Sequence, residues 1–266
     1  MSQRIKAIIS DMDGVLWRGP QALPGMSEFF ELLFASPLDF VLATNNSSRT
    51  QQDYVDKLAR MGVSGIQPRH IVTSGTATVS YLKTQYPAGT RMYVLGGGGL
   101  KRMLDCAGYE RVGACAEVVV CGIDFDLTYE KAQTATLLIR AGARFIGTNP
   151  DPSFPSPEGL VPGAGSIIAL IEAASGQSPT IIGKPERAMF DAALRQLGAR
   201  PEETLMIGDR IGTDIAGAQT LGLQTALVMT GVETEESLRA SDVQPDMVFA
   251  GLPDLIEALL PSRSYP

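Results

Sequence analysis

Ile5-Lys6-Ala7-Ile8-Ile9-Ser10-Asp11-Met12-Asp13-Gly14 is the stretch from which the fold is read. The run over residues 5–9 is short, apolar and β-branched, the composition of a strand buried in a sheet. Asp11 and Asp13 follow it two residues apart. Side-chain direction repeats every second residue in extended chain, so both carboxylates project the same way. Gly14 lets the chain turn without a Cβ clash. The pair therefore stands at the carboxyl edge of a sheet, where open α/β folds bind their ligands. One acid of such a pair can attack while the other moves a proton, which requires an electrophile and a cation nearby.

Outward from this stretch, strand-like runs alternate with helical patterns along the whole chain. Phe40-Val41-Leu42-Ala43 leads into Thr44-Asn45-Asn46-Ser47-Ser48. A helix is predicted next, with Tyr54, Val55, Leu58 and Met61 at helical spacing, Gly62 as its stop and a capping box from Ser48 to Gln51. Further strands are predicted at 70–72, 92–95, 118–120, 144–146, 180–182, 204–207, 225–228 and 247–249. This alternation predicts an α/β fold with a parallel sheet and crossover helices. The proline-rich piece 150–162 reads as irregular, too long for an ordinary hairpin, and either faces substrate or runs over the surface. Gly96-Gly97-Gly98-Gly99 lacks the trailing Lys-Ser/Thr of a nucleotide-phosphate loop and reads as a strand-to-helix turn. His70, the only histidine, begins a strand and reads as structural, and Trp17 either lines the site entrance or packs in the core.

The chain has 266 residues, enough for one large or two modest domains, and its 44% hydrophobic content can bury a real core. A net charge of -7 offers no basic stripe for displacing counterions, which excludes a nucleic-acid surface. No apolar stretch reaches the length of a membrane span, and MSQRIKAII lacks a signal-peptide pattern. Cys106, Cys115 and Cys121 are odd in number and lack metal spacing, so they read as reduced thiols packed as small core residues. A cytoplasmic protein without nucleic-acid or membrane partners is expected.

Four polar clusters each follow an apolar run. The first is Asp11 and Asp13. The second is Thr44-Asn45-Asn46, where a hydroxyl and successive amides meet a helix start and form an anion cradle, or simply cap the helix. The third is Gly183-Lys184-Pro185, a lone ammonium at a strand end, the type that is most often merely solvated. The fourth is Gly208-Asp209-Arg210-Ile211-Gly212-Thr213-Asp214, two acids in a Gly-rich turn, for which a calcium-type loop is the competitor. Hard oxygen ligands with few neighbours suit Mg²⁺, which keeps waters and bridges to phosphate. The order of the four clusters and their common placement at strand ends argue for one site.

In all four motifs the chain resembles the haloacid-dehalogenase-like (HAD) phosphatase superfamily. It is most similar to the branch of the NagD-type and 4-nitrophenyl-phosphatase-type enzymes, subfamily IIA. That branch carries the Thr-Asn-Asn form of the second motif and a large cap between the second and third motifs. Gly147-Thr148-Asn149-Pro150-Asp151, followed by Pro162-Gly163-Ala164-Gly165-Ser166, resembles its cap signature. The resemblance covers residues 8–230 and onward to the end.

It implies a Rossmann-like core of residues 1–78 and 181–266 and an inserted α/β cap over 79–180, with hinges near Ser74-Gly75-Thr76 and Ile182-Gly183. It implies Mg²⁺-dependent hydrolysis of a small phosphorylated metabolite. Asp11 would be the nucleophile that forms an aspartyl-phosphate, and Asp13 the general acid and then the base for water. Mg²⁺ would bind Asp11, the backbone carbonyl of Asp13 and Asp209, with Asp214 as a nearby partner. Thr44 and the amides of Asn45 and Asn46 would hold the phosphoryl oxygens, and Lys184 would neutralise charge.

A phosphate dianion beside three aspartates gathers about five negative charges and the metal and Lys184 return about three, so near-absolute metal dependence is expected. An acid at Asp13 separates this chain from the dehalogenases, which lack one, and from the transport ATPases, which carry Thr. Asp151 and Phe154 are the expected cap specificity residues. Some relatives, including pyridoxal-phosphate phosphatases, carry His where Phe154 stands, which leaves a more apolar pocket edge here. Sugar phosphates, glycerol phosphate, phosphoglycolate, nucleotides and aryl phosphates remain open as substrates. Caps of this branch often pair, which implies a homodimer through the cap. The competing readings are a phosphotransferase on the same fold and a low-turnover phosphometabolite-binding protein.

Overall fold

A computed structural model of the chain describes residues 5–156 and 159–260. The main sheet has six strands in the order Met247–Phe249, Gln224–Val228, Thr204–Gly208, Ala7–Ser10, Asp39–Thr44 and Ile71–Thr73. Ala7–Ser10 pairs in parallel with both of its neighbours, Ile8 lying opposite Leu205 on one side and Phe40 on the other. The chain runs outward on one side of this first strand and later returns to fill the other. The order therefore reverses beside Ala7–Ser10, and crevices at such reversals are where α/β sheets bind ligands. The expected parallel α/β architecture is present. The opening strand begins two residues later than its apolar run, at Ala7; the Lys6 amide donates to the Glu203 carbonyl and the Lys6 carbonyl accepts from the Asp39 amide, continuing the pairing on both sides.

Helix Met26–Ala35 buries Met26, Phe29, Phe30 and Leu33, a stripe at helical spacing. Each such side chain contributes roughly 1.5–3 kcal/mol when fully removed from water. A second sheet runs Thr180–Ile181, Arg144–Gly147, Val118–Cys121, Arg91–Leu95 and Glu110–Arg111. Its core includes Val119, Cys121, Ala135, Ile139, Phe145, Ile168 and Ile171. The chain divides into two compact units. One comprises residues 5–43, Val55–Ile71 and 193–260; the other comprises Thr44–Tyr54 and Val72–Ala192, and so contains all of 79–180 together with flanking residues. Among the described residues no helix is long and apolar enough to cross a membrane.

Several local expectations are corrected. Segment 150–162, of which 157 and 158 lie outside the described residues, forms an antiparallel hairpin from Ser153–Ser156 and Gly159–Pro162. A two-stranded ribbon is all edge, so Pro155 and Pro162 need donate nothing to a central ladder. The helix over Gln51–Arg60 is capped by Thr50 and Asp53 rather than by Ser48 and Gln51. Asp53 Oδ2 accepts from the amide and hydroxyl of Thr50 at 2.7 and 2.8 Å, and Thr50 Oγ1 accepts from the Asp53 amide at 3.3 Å. His70 closes the 3₁₀ turn Pro68–His70, one residue before its strand.

The expected hinge Ser74-Gly75-Thr76 is the first turn of helix Ser74–Gln85, held by a capping box between Thr73 and Thr76. At the second expected hinge, Ile182 and Gly183 donate to the carbonyls of Gly147 and Thr148 and so prolong the pairing. Gly96-Gly97-Gly98-Gly99 is a strand-to-helix turn, as read: Arg91–Leu95 ends, Gly97 caps and Gly98–Cys106 begins. The core reading of the thiols holds for Cys121 alone, since Cys106 and Cys115 are exposed. Burial, and then the charge of Asp124, push the Cys121 thiol well above its ordinary range, so it is an inert packing group.

Candidate active site

In the first unit, Asp11, Asp209 and Asp214 are all buried, at 8%, 2% and 1% exposure, and each places a carboxylate oxygen within 4.8 Å of the others. Strand pairing produces this meeting. Asp11 and Asp209 follow the adjacent parallel strands Ala7–Ser10 and Thr204–Gly208, and the Asp11 amide donates to the Ile207 carbonyl at 2.8 Å. Asp214 comes from the π-helical turn Ile211–Ile215, and its Oδ2 accepts from the amides of Asp209 and Arg210 at 3.2 and 3.1 Å. Asp209 Oδ2 accepts from the amide of Val232 at 3.3 Å.

The surrounding backbone presses close. A Cβ on Gly14 or Gly231 would collide with the Asp209 carboxylate, and one on Gly208 with Asp214. Gly14 also has φ +89°, so both space and backbone conformation call for glycine there. Three buried carboxylates at this spacing repel one another unless a cation or protons intervene. An all-oxygen donor set of this kind fits a hard divalent cation such as Mg²⁺.

Asp13 is exposed, and its Oδ1 accepts from Trp17 Nε1 at 2.7 Å. Trp17 does not line an entrance; it is fully buried. Lys57 Nζ lies 3.9 Å from the centre of the Trp17 ring. The loop after strand Gln224–Val228 braces the first motif, with Thr230 Oγ1 donating to the Gly14 carbonyl at 2.7 Å.

In the second unit, Asn45 is a junction. Its Oδ1 accepts from the Lys184 amide at 2.7 Å, and its Nδ2 donates to the Lys184 carbonyl at 2.9 Å and to Asp151 Oδ2 at 3.1 Å. The Asn45 carbonyl accepts from Ser74 Oγ at 2.5 Å and from Asn149 Nδ2 at 2.7 Å. Gly183 makes this closure possible, since a Cβ there would stand 2.6 Å from Asn45 Oδ1. Lys184 and Thr44 are buried. The Asn46 amide, expected in an anion cradle, donates to Thr44 Oγ1 at 3.2 Å, and Asn46 Oδ1 accepts from the Ser48 amide at 2.8 Å.

The structure thus gathers Asp11, Asp209 and Asp214 in one unit, and Asn45, Lys184 and Asp151 in the other. Phe154 is half-buried and joins neither group; it packs edge-to-face on Phe125 with ring centres 6.1 Å apart, and Phe125 is 69% exposed. Sequence reasoning overlooked the side-chain role of Asn45, the Trp17–Asp13 bond, Lys57 and Gly231. The apolar run Val15-Leu16-Trp17 beside an acidic motif was the one available signal for Trp17.

The profile of the family described as haloacid dehalogenase-like hydrolase matches residues 8–110, and that of the HAD-hydrolase-like family matches residues 181–255. The chain is 41% identical to the dihydroxyacetone phosphatase of Corynebacterium glutamicum over 94% of this chain and 90% of that protein. It is 38% identical to the acid sugar phosphatase of Staphylococcus aureus over 97% of this chain and 99% of that one. The crystal structure of 4-nitrophenylphosphatase from Thermotoga maritima superposes with a TM-score of 0.91 at 39% identity, covering 96% of this chain and 97% of that one.

Proposed function

Since the chain belongs to the haloacid dehalogenase-like hydrolases and is a phosphoric monoester hydrolase, we propose that it cleaves a small sugar or triose phosphate through an aspartyl-phosphate on Asp11. The observation that carries this reading is the convergence of buried Asp11, Asp209 and Asp214 within 4.8 Å. The substrate class is supported by the names of the relatives, a dihydroxyacetone phosphatase and an acid sugar phosphatase.

In the first displacement an Asp11 oxygen forms a bond to phosphorus while the ester P–O bond breaks. Asp13 supplies the proton that leaves with the alcohol. In the second, Asp13 takes a proton from water as the water oxygen attacks phosphorus, which releases phosphate and restores Asp11. Two displacements sharing one proton carrier divide a difficult hydrolysis into two easier steps. Mg²⁺ held by Asp11, Asp209 and the Asp13 carbonyl, with Asp214 behind them, would supply the positive charge that lets an anionic nucleophile meet a phosphate dianion. By the same reading the buried Lys184 would neutralise charge on the phosphoryl group, and Thr44 with the amides of Asn45 and Asn46 would hold its oxygens. Residues 79–180 act as the cap, in which Asp151 and Phe154 bear on the choice of leaving group.

The test combines phosphate release from a panel of phosphorylated metabolites in Mg²⁺ with acid-quench mass spectrometry of the enzyme during turnover. A phosphoryl group on the peptide containing Asp11, and no turnover by Asp11→Asn, are expected. Turnover by Asp11→Asn at the wild-type rate would overturn the assignment.

A further inference from the structure

We propose that Trp17 is a positioning residue for Asp13 and that Lys57 strengthens its hold; the inference rests on the reading of Asp13 as the proton carrier. An exposed aspartate on a turn samples several rotamers, whereas a proton carrier must keep one oxygen aimed at the leaving group. Trp17 removes that freedom from below. Its indole is fully buried, so packing fixes its plane, and the N–H meets Asp13 Oδ1 at 2.7 Å. This distance is short for an N–H···O bond and falls where bonds to charged acceptors lie. Indole N–H is a donor only, so the bond occupies one Asp13 oxygen and leaves the other for chemistry.

The backbone enforces the same geometry. Asp13 and Trp17 form an isolated bridge, and the Gly14 amide donates to the Trp17 carbonyl at 2.8 Å. Lys57 belongs to helix Gln51–Arg60 and sets its ammonium 3.9 Å from the ring centre. A cation over the π face is attracted to the ring and draws electron density from the indole, which makes the N–H a stronger donor. The ammonium, the ring and the carboxylate thus form a chain from a surface helix to the first motif. A buried indole that merely found a convenient acceptor would need neither the cation nor the bridge.

Trp17 is also the only tryptophan in the chain, so its emission reports this contact directly. The experiment compares kcat/KM for 4-nitrophenyl phosphate, whose leaving group departs without a proton, and for glycerol phosphate, whose alkoxide needs one. Wild type, Trp17→Phe, Lys57→Met, Asp13→Ala and the double variant Trp17→Phe/Asp13→Ala are measured in saturating Mg²⁺. Trp17→Phe is expected to lose about tenfold more activity on glycerol phosphate than on the aryl ester, and Lys57→Met about threefold more. In the Asp13→Ala background, Trp17→Phe is expected to leave the ratio of the two substrates unchanged. Equal losses on both substrates, or a shifted ratio without Asp13, would overturn the inference. A flat response of Asp13→Ala itself would overturn the proton-carrier reading, and the inference with it. Should Trp17→Phe fold poorly, Lys57→Met and Asp13→Asn keep the indole. Both are expected to alter its emission, and unaltered emission in both would overturn the contact.

Discussion

The carboxamide of Asn45 grips the backbone of Lys184 at both ends, accepting from its amide at 2.7 Å and donating to its carbonyl at 2.9 Å. The same nitrogen reaches Asp151 Oδ2 at 3.1 Å. One side chain therefore ties the second motif to the lysine of the third and to Asp151, which ends the first segment of the cap signature. An aspartate at this position would set an oxygen against two acceptors. Asn45→Asp is expected to lower kcat/KM about a hundredfold and to cost roughly 1–3 kcal/mol of stability, the usual penalty for breaking buried hydrogen bonds. Steady-state kinetics and urea denaturation check this, and a near-wild-type Asn45→Asp would contradict it.

Gly231 gives its space to Asp209, because a Cβ there would enter the carboxylate. Gly231→Ala is expected to displace Asp209, costing roughly 1–3 kcal/mol as an overpacked site does. Activity should fall more steeply than stability, since the displaced group belongs to the carboxylate cluster. Denaturation curves and the Mg²⁺ dependence of turnover measured together decide the point.

Chelation of divalent ions should abolish turnover, with recovery on adding Mg²⁺. Asp209 and Asp214 differ in their expected effects. Asp214 Oδ2 receives the amides of Asp209 and Arg210, so Asp214→Ala should lower the melting temperature even without metal. Asp209→Asn should raise the Mg²⁺ concentration for half-activity by about a hundredfold, in line with loss of one charged ligand. Mg²⁺ should also raise the melting temperature of the wild type more than that of Asp209→Asn. Thermal scans with and without the ion check both statements, and equal shifts would remove Asp209 from the ligand set.

His70 gives a prediction about pH and stability. Burial, and then the charge of Arg69, hold its pKa below the ordinary histidine value. Its Nδ1 accepts from the Gln67 amide at 3.2 Å, an acceptor role that protonation at Nδ1 would end. With the folded pKa lowered, the unfolded chain binds more protons between that value and about 6.5. The contribution is therefore complete above about 6.5 and is lost as pH falls toward the folded pKa. The single histidine signal in proton NMR should titrate below the free value, and His70→Gln should flatten the fall in melting temperature across that window. A midpoint at or above the free value would contradict the prediction.

Local patterning along the chain encodes the alternation of strands and helices, the acids after the first strand and the order of four motifs. These depend on local properties: short β-branched runs, helical spacing and the turn chemistry of residues such as Gly14 and Gly62, both found at positive φ. The tertiary structure alone decided which acids meet. Asp11 and Asp209 are brought together by the pairing of Ala7–Ser10 with Thr204–Gly208, a choice of neighbour that no local pattern specifies. It also decided that the Asn45 carboxamide bonds the Lys184 backbone, that the buried Trp17 donates to Asp13, and that Ser153–Ser156 pairs with Gly159–Pro162 despite the prolines. Each of these outcomes depends on what a side chain packs against or bonds to across the chain, and such partners are fixed by burial and hydrogen-bond satisfaction in three dimensions.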